Sequence, residues 1–370
     1  MKTRGAIVQQ FGHGYDIVEM DLDAPRSGEI TVKMVASGLC LSDEHVTSGS
    51  WAVRLPMCGG HEGSGVVVAV GPGTAGWEIG DHAILSCLPG CGRCHYCATG
   101  HQNLCDLTRN VWIGSRPEDA DSFRLGYQGK RVGQFCNIGT FSEYSTVSVL
   151  SAVKIAKQVP LDKACLIGCS VSTGWGAAVN SAQVVPGQTV IVMGCGGVGN
   201  FAVQGAAHAG ALHIIAVDPV ASKRVAAMQV GATHGCASIE EAGELGRSLT
   251  DGRGADSCAI TLGTLRSEHL LQALAAVGKN GIVVVTALGD SAAVDFKMSL
   301  FDLTVNQKRI QGSMYGGVSP SWDMLKLVQM YTGGRLKLDD IISKTYTLDE
   351  VNKGYDDLRA GNNIRGVILF

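Results

Sequence analysis

Residues 189–199 read TVIVMGCGGVG, a short apolar run closed by a cluster of glycines. A run of that length ending in glycine reads as a buried strand. The chain then continues with helical spacing to about residue 209, and HIIAVD (213–218) reads as the next strand. Gly194, Gly196, Gly197 and Gly199, with Val198 among them, form a G-x-G-x-x-G turn. Alone that pattern is weak. A strand before it, a helix after it and Asp218 at the end of the second strand turn it into a dinucleotide-binding signature. Glycine admits a close pyrophosphate, and the helix N-terminus favours its charge. Asp218 would accept from the adenosine ribose hydroxyls and repel a 2′-phosphate, so NAD is expected. NADP is the less favoured cofactor, left open by Lys223 and Arg224.

Outward from this turn the texture stays regular. Helices are expected at about 221–230 and 267–277, and strands at ADSCAI (255–260) and GIVVVTAL (281–288). Such alternation predicts an α/β unit with a doubly wound parallel sheet. Upstream, GAIVQQFG (5–12), EITVKMVASG (29–38), EGSGVVVAVGPG (62–73) and FSEYSTVSVL (141–150) are too short for helices. They suggest an irregular, barrel-like β domain. The tail carries two helical stretches, at 321–334 and 348–361, and a closing strand GVILF. It is too short to stand alone. The expected domains are therefore 1–170 with 314–370, and 171–313.

Composition narrows the function. With 30 basic and 33 acidic residues the net charge is -3, and the basic residues are scattered. Neither nucleic acid nor a membrane is an expected partner. The start MKTRGAIVQQFG lacks the apolar core of an export signal, so a cytoplasmic location is expected. The apolar stretch 189–217 contains six glycines and changes period, so it reads as strand, turn, helix and strand, not as a membrane span. Thirteen cysteines in such a chain point to thiolate chemistry before disulfides.

Cys91, Cys94, Cys97 and Cys105 lie within fifteen residues, CGRCHYCATGHQNLC. Four thiolates at this spacing can close around one tetrahedral zinc ion, a structural site with no open position. An iron–sulfur cluster is the rival, but the fourth cysteine comes seven residues after Cys97 and is followed by Asp106, not Pro. A second set, Cys40, His61 with neighbouring Glu62, and Cys169, is scattered. Two thiolates and an imidazole would hold zinc with one position free, whose Lewis acidity lowers the pKa of a bound alcohol. Each of these residues taken singly reads more simply as core filling or a hydrogen-bonded pair. Their co-occurrence with the lobe and the glycine turn raises the set.

These motifs, from SGLCLSDEH and GGHEGSG through CLIGCSVSTGWG to NNIRGVILF, resemble the zinc-containing medium-chain alcohol dehydrogenases over essentially the whole chain. DPVASKR and AGNNIRGVILF look like the actinobacterial branch assayed with an artificial nitroso acceptor (NDMA). The resemblance implies a GroES-like β-rich catalytic domain beside a Rossmann domain, two zinc ions per chain, and reversible hydride transfer between an alcohol and NAD. It implies that Ser42 takes the alcohol proton, His45 relays it, and Glu62 tunes the metal. Thr173 would contact the nicotinamide, Lys223 the adenosine ribose and Arg365 the pyrophosphate. The bland alternatives are a hydrogen-bonded turn for Ser42 and His45 and a solvated charge for Arg365.

Two departures stand out. Leu41 replaces the Arg or His that relatives usually set against the pyrophosphate. Cys87 replaces a Phe that often narrows the pocket, whose further lining is expected from Trp51, Trp112, Phe135 and Cys136. A homodimer is expected, with a tetramer as the alternative. Two other readings stay in view: an enzyme that retains its nicotinamide, using another acceptor or dismutating aldehydes, and a non-catalytic nucleotide-binding protein.

Overall fold

In the computed structural model, which describes residues 1–292, 294 and 296–370, the strand Thr189–Met193 lies inside a six-stranded parallel sheet. All five of its residues are buried, which is why its sequence is continuously apolar instead of alternating. Across the sheet the strands run His234–Cys236, His213–Val217, Thr189–Met193, Ala255–Ile260, Val277–Val285 and Arg309–Gly312. In chain order that is 3-2-1-4-5-6, the doubly wound arrangement the alternation predicts. The order reverses beside Thr189–Met193, so its carboxyl end opens the crevice where such sheets take ligands. Ile191, Ile215, Cys258 and Val283 form part of the core on this sheet.

The helices Gly197–His208, Ala221–Gln229 and Ser267–Ala276 stand where the sequence places them. The helix Ile239–Leu249 was not anticipated. Its buried residues Ile239, Ala242, Gly243 and Gly246 follow the i, i+3, i+4, i+7 rule, but two of the four are glycines that hide the apolar face. Ser238 caps it by accepting from Glu241 N at 3.2 Å.

This sheet and its helices form one unit, Ser170–Val318; the other comprises Met1–Cys169 and Ser319–Phe370. The second break thus falls five residues later than the expected 313/314 boundary. The reason is local packing. A Cβ on Gly176 would lie 2.2 Å from Gly316 O, Asn180 Nδ2 donates to the same carbonyl at 3.2 Å, and the hydroxyls of Ser181 and Ser313 meet at 2.7 Å.

The other unit is β-rich. A closed barrel joins Lys2–Val8, Asp16–Leu22, Leu125–Tyr127, Lys130–Gln134 and Met57–Cys58, around Ile7, Met20, Leu22 and Val132. A second, seven-stranded sheet centres on Glu29–Gly38, which pairs with Gly63–Val70 and Tyr144–Ser148 and, through Val367 against Gly38, with the last strand Arg365–Leu369. The helix Leu41–Ser48 interrupts what the sequence suggests is a strand-only region. Its residues, LSDEHVTS, have no apolar period. Asp43 and Glu44 in its first turn suit the helix dipole, and Gly49 ends it at φ 78°. No helix among the described residues is long and apolar enough to cross a membrane.

Candidate functional site

Three loops of the β-rich unit meet at one point. The strand Glu29–Gly38 delivers Cys40 to the N-cap of the helix Leu41–Ser48. His61 and Glu62 lie between the strands Met57–Cys58 and Gly63–Val70, and Cys169 follows the single turn Cys165–Gly168. The loops are tied together by their backbones: Gly38 N donates to Glu62 O at 2.9 Å, and Cys87 N to Gly168 O at 3.3 Å. Gly38 is there for space, since a Cβ would lie 2.0 Å from Glu62 Oε2.

As a result one ligand atom each from Cys40, His61, Glu62 and Cys169 lies within 4.8 Å of the others. His61 Nδ1 lies 3.1 Å from Asp43 Oδ2, which fixes the ring. Its other nitrogen, Nε2, is buried with no hydrogen-bond partner among the described residues. An unpartnered imidazole nitrogen between two sulfurs fits a metal ion and little else. The Cys169 side chain hydrogen-bonds Cys40, and Arg365 and His61 stand near; together they hold the Cys40 thiol well below its ordinary range. Burial pushes the Glu62 carboxyl up even though Arg365 faces it.

Arg365 is buried with Nη2 on Glu62 Oε1, so the partner the structure gives it is this carboxylate. The expected pyrophosphate contact finds no support in that placement. Ser42 Oγ lies 3.6 Å from Cys40 Sγ. His45 is one helical turn on; its Nδ1 meets Ser50 Oγ at 2.7 Å and its ring stacks on Trp51 at 4.4 Å. Trp51, Trp112 and Phe135 form an aromatic cluster, and Phe135 sets its edge against His61 at 5.2 Å. Cys87 hydrogen-bonds Cys169. Cys136 is buried in a left-handed conformation (φ 55°) beside these groups. Leu41, half-buried, is the first residue of its helix.

Asp43 escaped the sequence reading. It is fully buried, and it accepts from Gly60 N at 2.8 Å and from the Tyr355 hydroxyl at 3.0 Å. A carboxylate behind a ligand histidine sets its tautomer and raises its basicity. Its only signal was an acid inside a cysteine- and histidine-bearing segment, SGLCLSDEH.

Cys91, Cys94, Cys97 and Cys105 also converge within 4.8 Å. Backbone N–H groups point at the sulfurs, from Cys91 to Cys105 (3.4 Å), Cys94 to Cys91 (3.3 Å) and Cys97 to Cys94 (3.5 Å). This is the hydrogen bonding that thiolate ligands need. The N–H groups of Asp106 and Cys97 hold the Cys94 thiol down at about 6, whereas burial pushes Cys97 up to about 12.

In the other unit, Gly199 cannot carry a side chain, because a Cβ would lie 1.8 Å from Gly194 O. Gly196, at the N-cap of the helix Gly197–His208, differs: a Cβ there meets nothing within 4 Å, leaving room for a group to approach the backbone. Asn200 and Thr261, also unread in the sequence, brace the turn, with Asn200 Nδ2 on Cys195 O (2.8 Å) and Thr261 Oγ1 on Gly194 O (2.6 Å). Val198 O approaches the helix Ser170–Gly176 where Gly174 permits it, one residue from Thr173. Asp218 accepts from Cys195 N at 3.0 Å and Val220 N at 2.9 Å, and Lys223 is half-buried on the following helix.

Comparison with known proteins agrees with both units. Residues 26–157 match the alcohol dehydrogenase GroES-like domain, and residues 197–330 match the zinc-binding dehydrogenase domain. The chain is 44% identical to the NDMA-dependent alcohol dehydrogenase of Amycolatopsis methanolica, covering 100% of this chain and 99% of that one. It is 41% identical to alcohol dehydrogenase B of Mycobacterium tuberculosis, at the same coverage. The crystal structure of benzyl alcohol dehydrogenase from Acinetobacter calcoaceticus superposes with a TM-score of 0.91 at 29% identity, covering 100% of this chain and 99% of that chain. Scattered ligands that converge, a closed thiolate lobe and a glycine turn on a 3-2-1-4-5-6 sheet all lead to one conclusion: the chain belongs to the zinc-binding alcohol dehydrogenase family, with a GroES-like and a Rossmann-type domain.

Proposed function

We propose that this protein is an NAD-linked alcohol dehydrogenase with two zinc ions per chain, one held by Cys40, His61 and Cys169 and one by the four-cysteine lobe. The observation that carries the reading is the buried, unpartnered Nε2 of His61 set between two thiols. Bound there, zinc would supply Lewis acidity toward a substrate oxygen, and a nicotinamide at the glycine turn would supply the hydride acceptor.

The chain's own residues do the rest. Ser42 accepts the alcohol proton at Oγ, and His45, one turn along the same helix, passes it toward solvent. The Ser50 hydrogen bond and the Trp51 stack hold the His45 ring for that purpose. Trp51, Trp112 and Phe135 offer an apolar surface to the carbon skeleton and exclude water, while Cys87 in place of a bulkier side chain leaves space for large alcohols. Glu62 tunes the ligand set, with Arg365 offsetting its charge. Asp218 receives the adenosine ribose, with Lys223 beside it, and Thr173 contacts the nicotinamide. Arg224 is engaged by Asp218 O at 2.6 Å and Pro219 O at 3.1 Å, which supports NAD over NADP.

Metal analysis combined with NAD-linked oxidation of primary, aromatic and terpenoid alcohols tests the reading. His61→Ala should abolish turnover and leave the lobe loaded. Full activity in that variant would overturn it.

The similarity to the NDMA-dependent relative favours a second reading, in which the nicotinamide stays bound and another acceptor removes the electrons. Heat-denaturing extensively dialysed protein and assaying released nicotinamide separates the two. A homo-oligomer is supported by the edge strand Arg309–Gly312, exposed throughout, and by the nearby exposed Leu300 and Phe301. Sedimentation would measure its order.

A further inference from the structure

The helix Val351–Arg359 reaches the metal centre without supplying a ligand. Its residues Asn352, Tyr355 and Arg359 are spaced by three and four and so share one face. At one end Asn352 clasps the backbone of Tyr15, accepting from its N and donating to its O, both at 2.9 Å. At the other end Arg359 pairs with Glu44 on the helix Leu41–Ser48. Between the two clasps the Tyr355 hydroxyl donates to Asp43 Oδ2 at 3.0 Å. The Tyr355 ring stacks on Tyr15 at 5.9 Å and meets Phe141 at 6.3 Å, so the side chain is fixed before its hydroxyl is considered.

Asp43 has no lysine or arginine partner among the described residues. A buried carboxylate in that position depends on its hydrogen-bond donors. Gly60 N holds Oδ1, while Tyr355 and His61 Nδ1 share Oδ2. Tyr355 therefore limits where Oδ2 can sit and from which side His61 can meet it. A ring whose proton is kept on Nδ1 presents a bare Nε2 to a metal ion.

We infer that Tyr355 is a positioning residue of the Cys40–His61–Cys169 centre: through Asp43, its hydroxyl holds the His61 ring where Nε2 can ligate. The inference rests on reading that centre as a zinc site. Phenylalanine at 355 would keep both ring contacts and remove only the donor, leaving Asp43 and His61 freer to swing.

The test is zinc release from the full-length protein under excess chelator, followed colorimetrically for the parent chain and Tyr355→Phe. The parent should first be shown to hold two ions, one for each ligand cluster. A count of one, with the lobe loaded, would remove the zinc reading itself and so is told apart from failure of the inference. Given two, Tyr355→Phe should speed loss of one ion about tenfold and leave the other at the parental rate. In an Asp43→Asn background the same change should add nothing, because the route to His61 is already altered. Unchanged release, equal acceleration of both ions, or an undiminished tenfold effect beside Asp43→Asn each overturns the inference. Cobalt substitution gives a measurement that does not depend on the Asp43 variant folding: the ligand-field bands of this centre should shift in Tyr355→Phe, and identical bands count against it.

Discussion

Arg365 Nη2 rests on Glu62 Oε1, and both side chains are almost wholly shut off from solvent. The guanidinium comes from the last strand of the chain and the carboxylate from the loop that carries His61. Each charge is tolerable inside the protein because the other is present.

Removing one partner should therefore be costly. Arg365→Met leaves the Glu62 carboxylate buried without its counter-charge, and a loss of about 3–5 kcal/mol in unfolding free energy is expected. Urea denaturation measures it. Arg365→Met together with Glu62→Gln should recover much of the loss, and a double variant as unstable as the single one would show that the pairing is not the cause.

A second buried cluster steadies the aromatic wall. Arg124 Nε binds Glu29 Oε1 at 2.7 Å, and its Nη1 donates to Asn137 O and Gln134 Oε1, both at 3.2 Å. Those bonds brace the turn in which Cys136 and Asn137 both have left-handed backbones. Arg124→Leu should cost about 3 kcal/mol or more. It should also lower kcat/KM for bulky alcohols more than for small ones, since Phe135 and Cys136 sit in that turn; an equal fall for both would confine Arg124 to stability.

The two glycines of the turn should part company. Gly199→Ala forces a methyl against Gly194 O and should destabilise the protein by about 1–3 kcal/mol. Gly196→Ala enters open space and should change stability by less than about 0.5 kcal/mol. Its NAD affinity should nevertheless fall at least about tenfold, a loss of about 1.4 kcal/mol, because the methyl occupies the approach to the backbone. Calorimetry on both variants checks the pair, and unweakened NAD binding by Gly196→Ala would count against the placement of the pyrophosphate.

Asp357 predicts an acid limb. The Tyr346 hydroxyl (2.9 Å) and the Lys344 ammonium (3.2 Å), outweighing a small burial effect, hold its carboxyl down at about 2, with Lys353 adding to them. The folded value lies below the unfolded one, near 3.9. Its contribution is thus complete above about pH 4 and disappears as the pH falls toward 2. Asp357→Asn should be less stable than the parent near neutrality and converge with it in acid. A constant gap down to pH 2 would contradict the assignment.

How far the sequence could be read depends on how local each signal is. The sheet around Thr189–Met193 was legible because fully buried parallel strands leave apolar runs, and the four-cysteine lobe because its ligands fit within one short segment. Cys40, His61 and Cys169 span a long stretch of chain, so their grouping leaned on family resemblance until the coordinates brought them together. Asp43 and Tyr355 could not be found that way. A carboxylate behind a histidine has no spacing rule when its partners are 18 and 312 residues distant. The position of Asp43 at 43 and His61 at 61 is one such pair, and tertiary packing alone reveals it. Arg365 was seen as a charge near the terminus, but which anion it faces is decided by the strand pairing of Val367 with Gly38.

The last strand and the helix before it also impose an order on manufacture. A ribosome releases Cys40, His61 and Cys169 long before it adds Tyr355 and Arg365. A nascent polypeptide can gather its sulfur and nitrogen donors early, yet their outer supports arrive only as translation finishes. Messages cut short near their 3′ end should therefore yield chains that bind and lose metal readily, natural substrates for quality-control proteases.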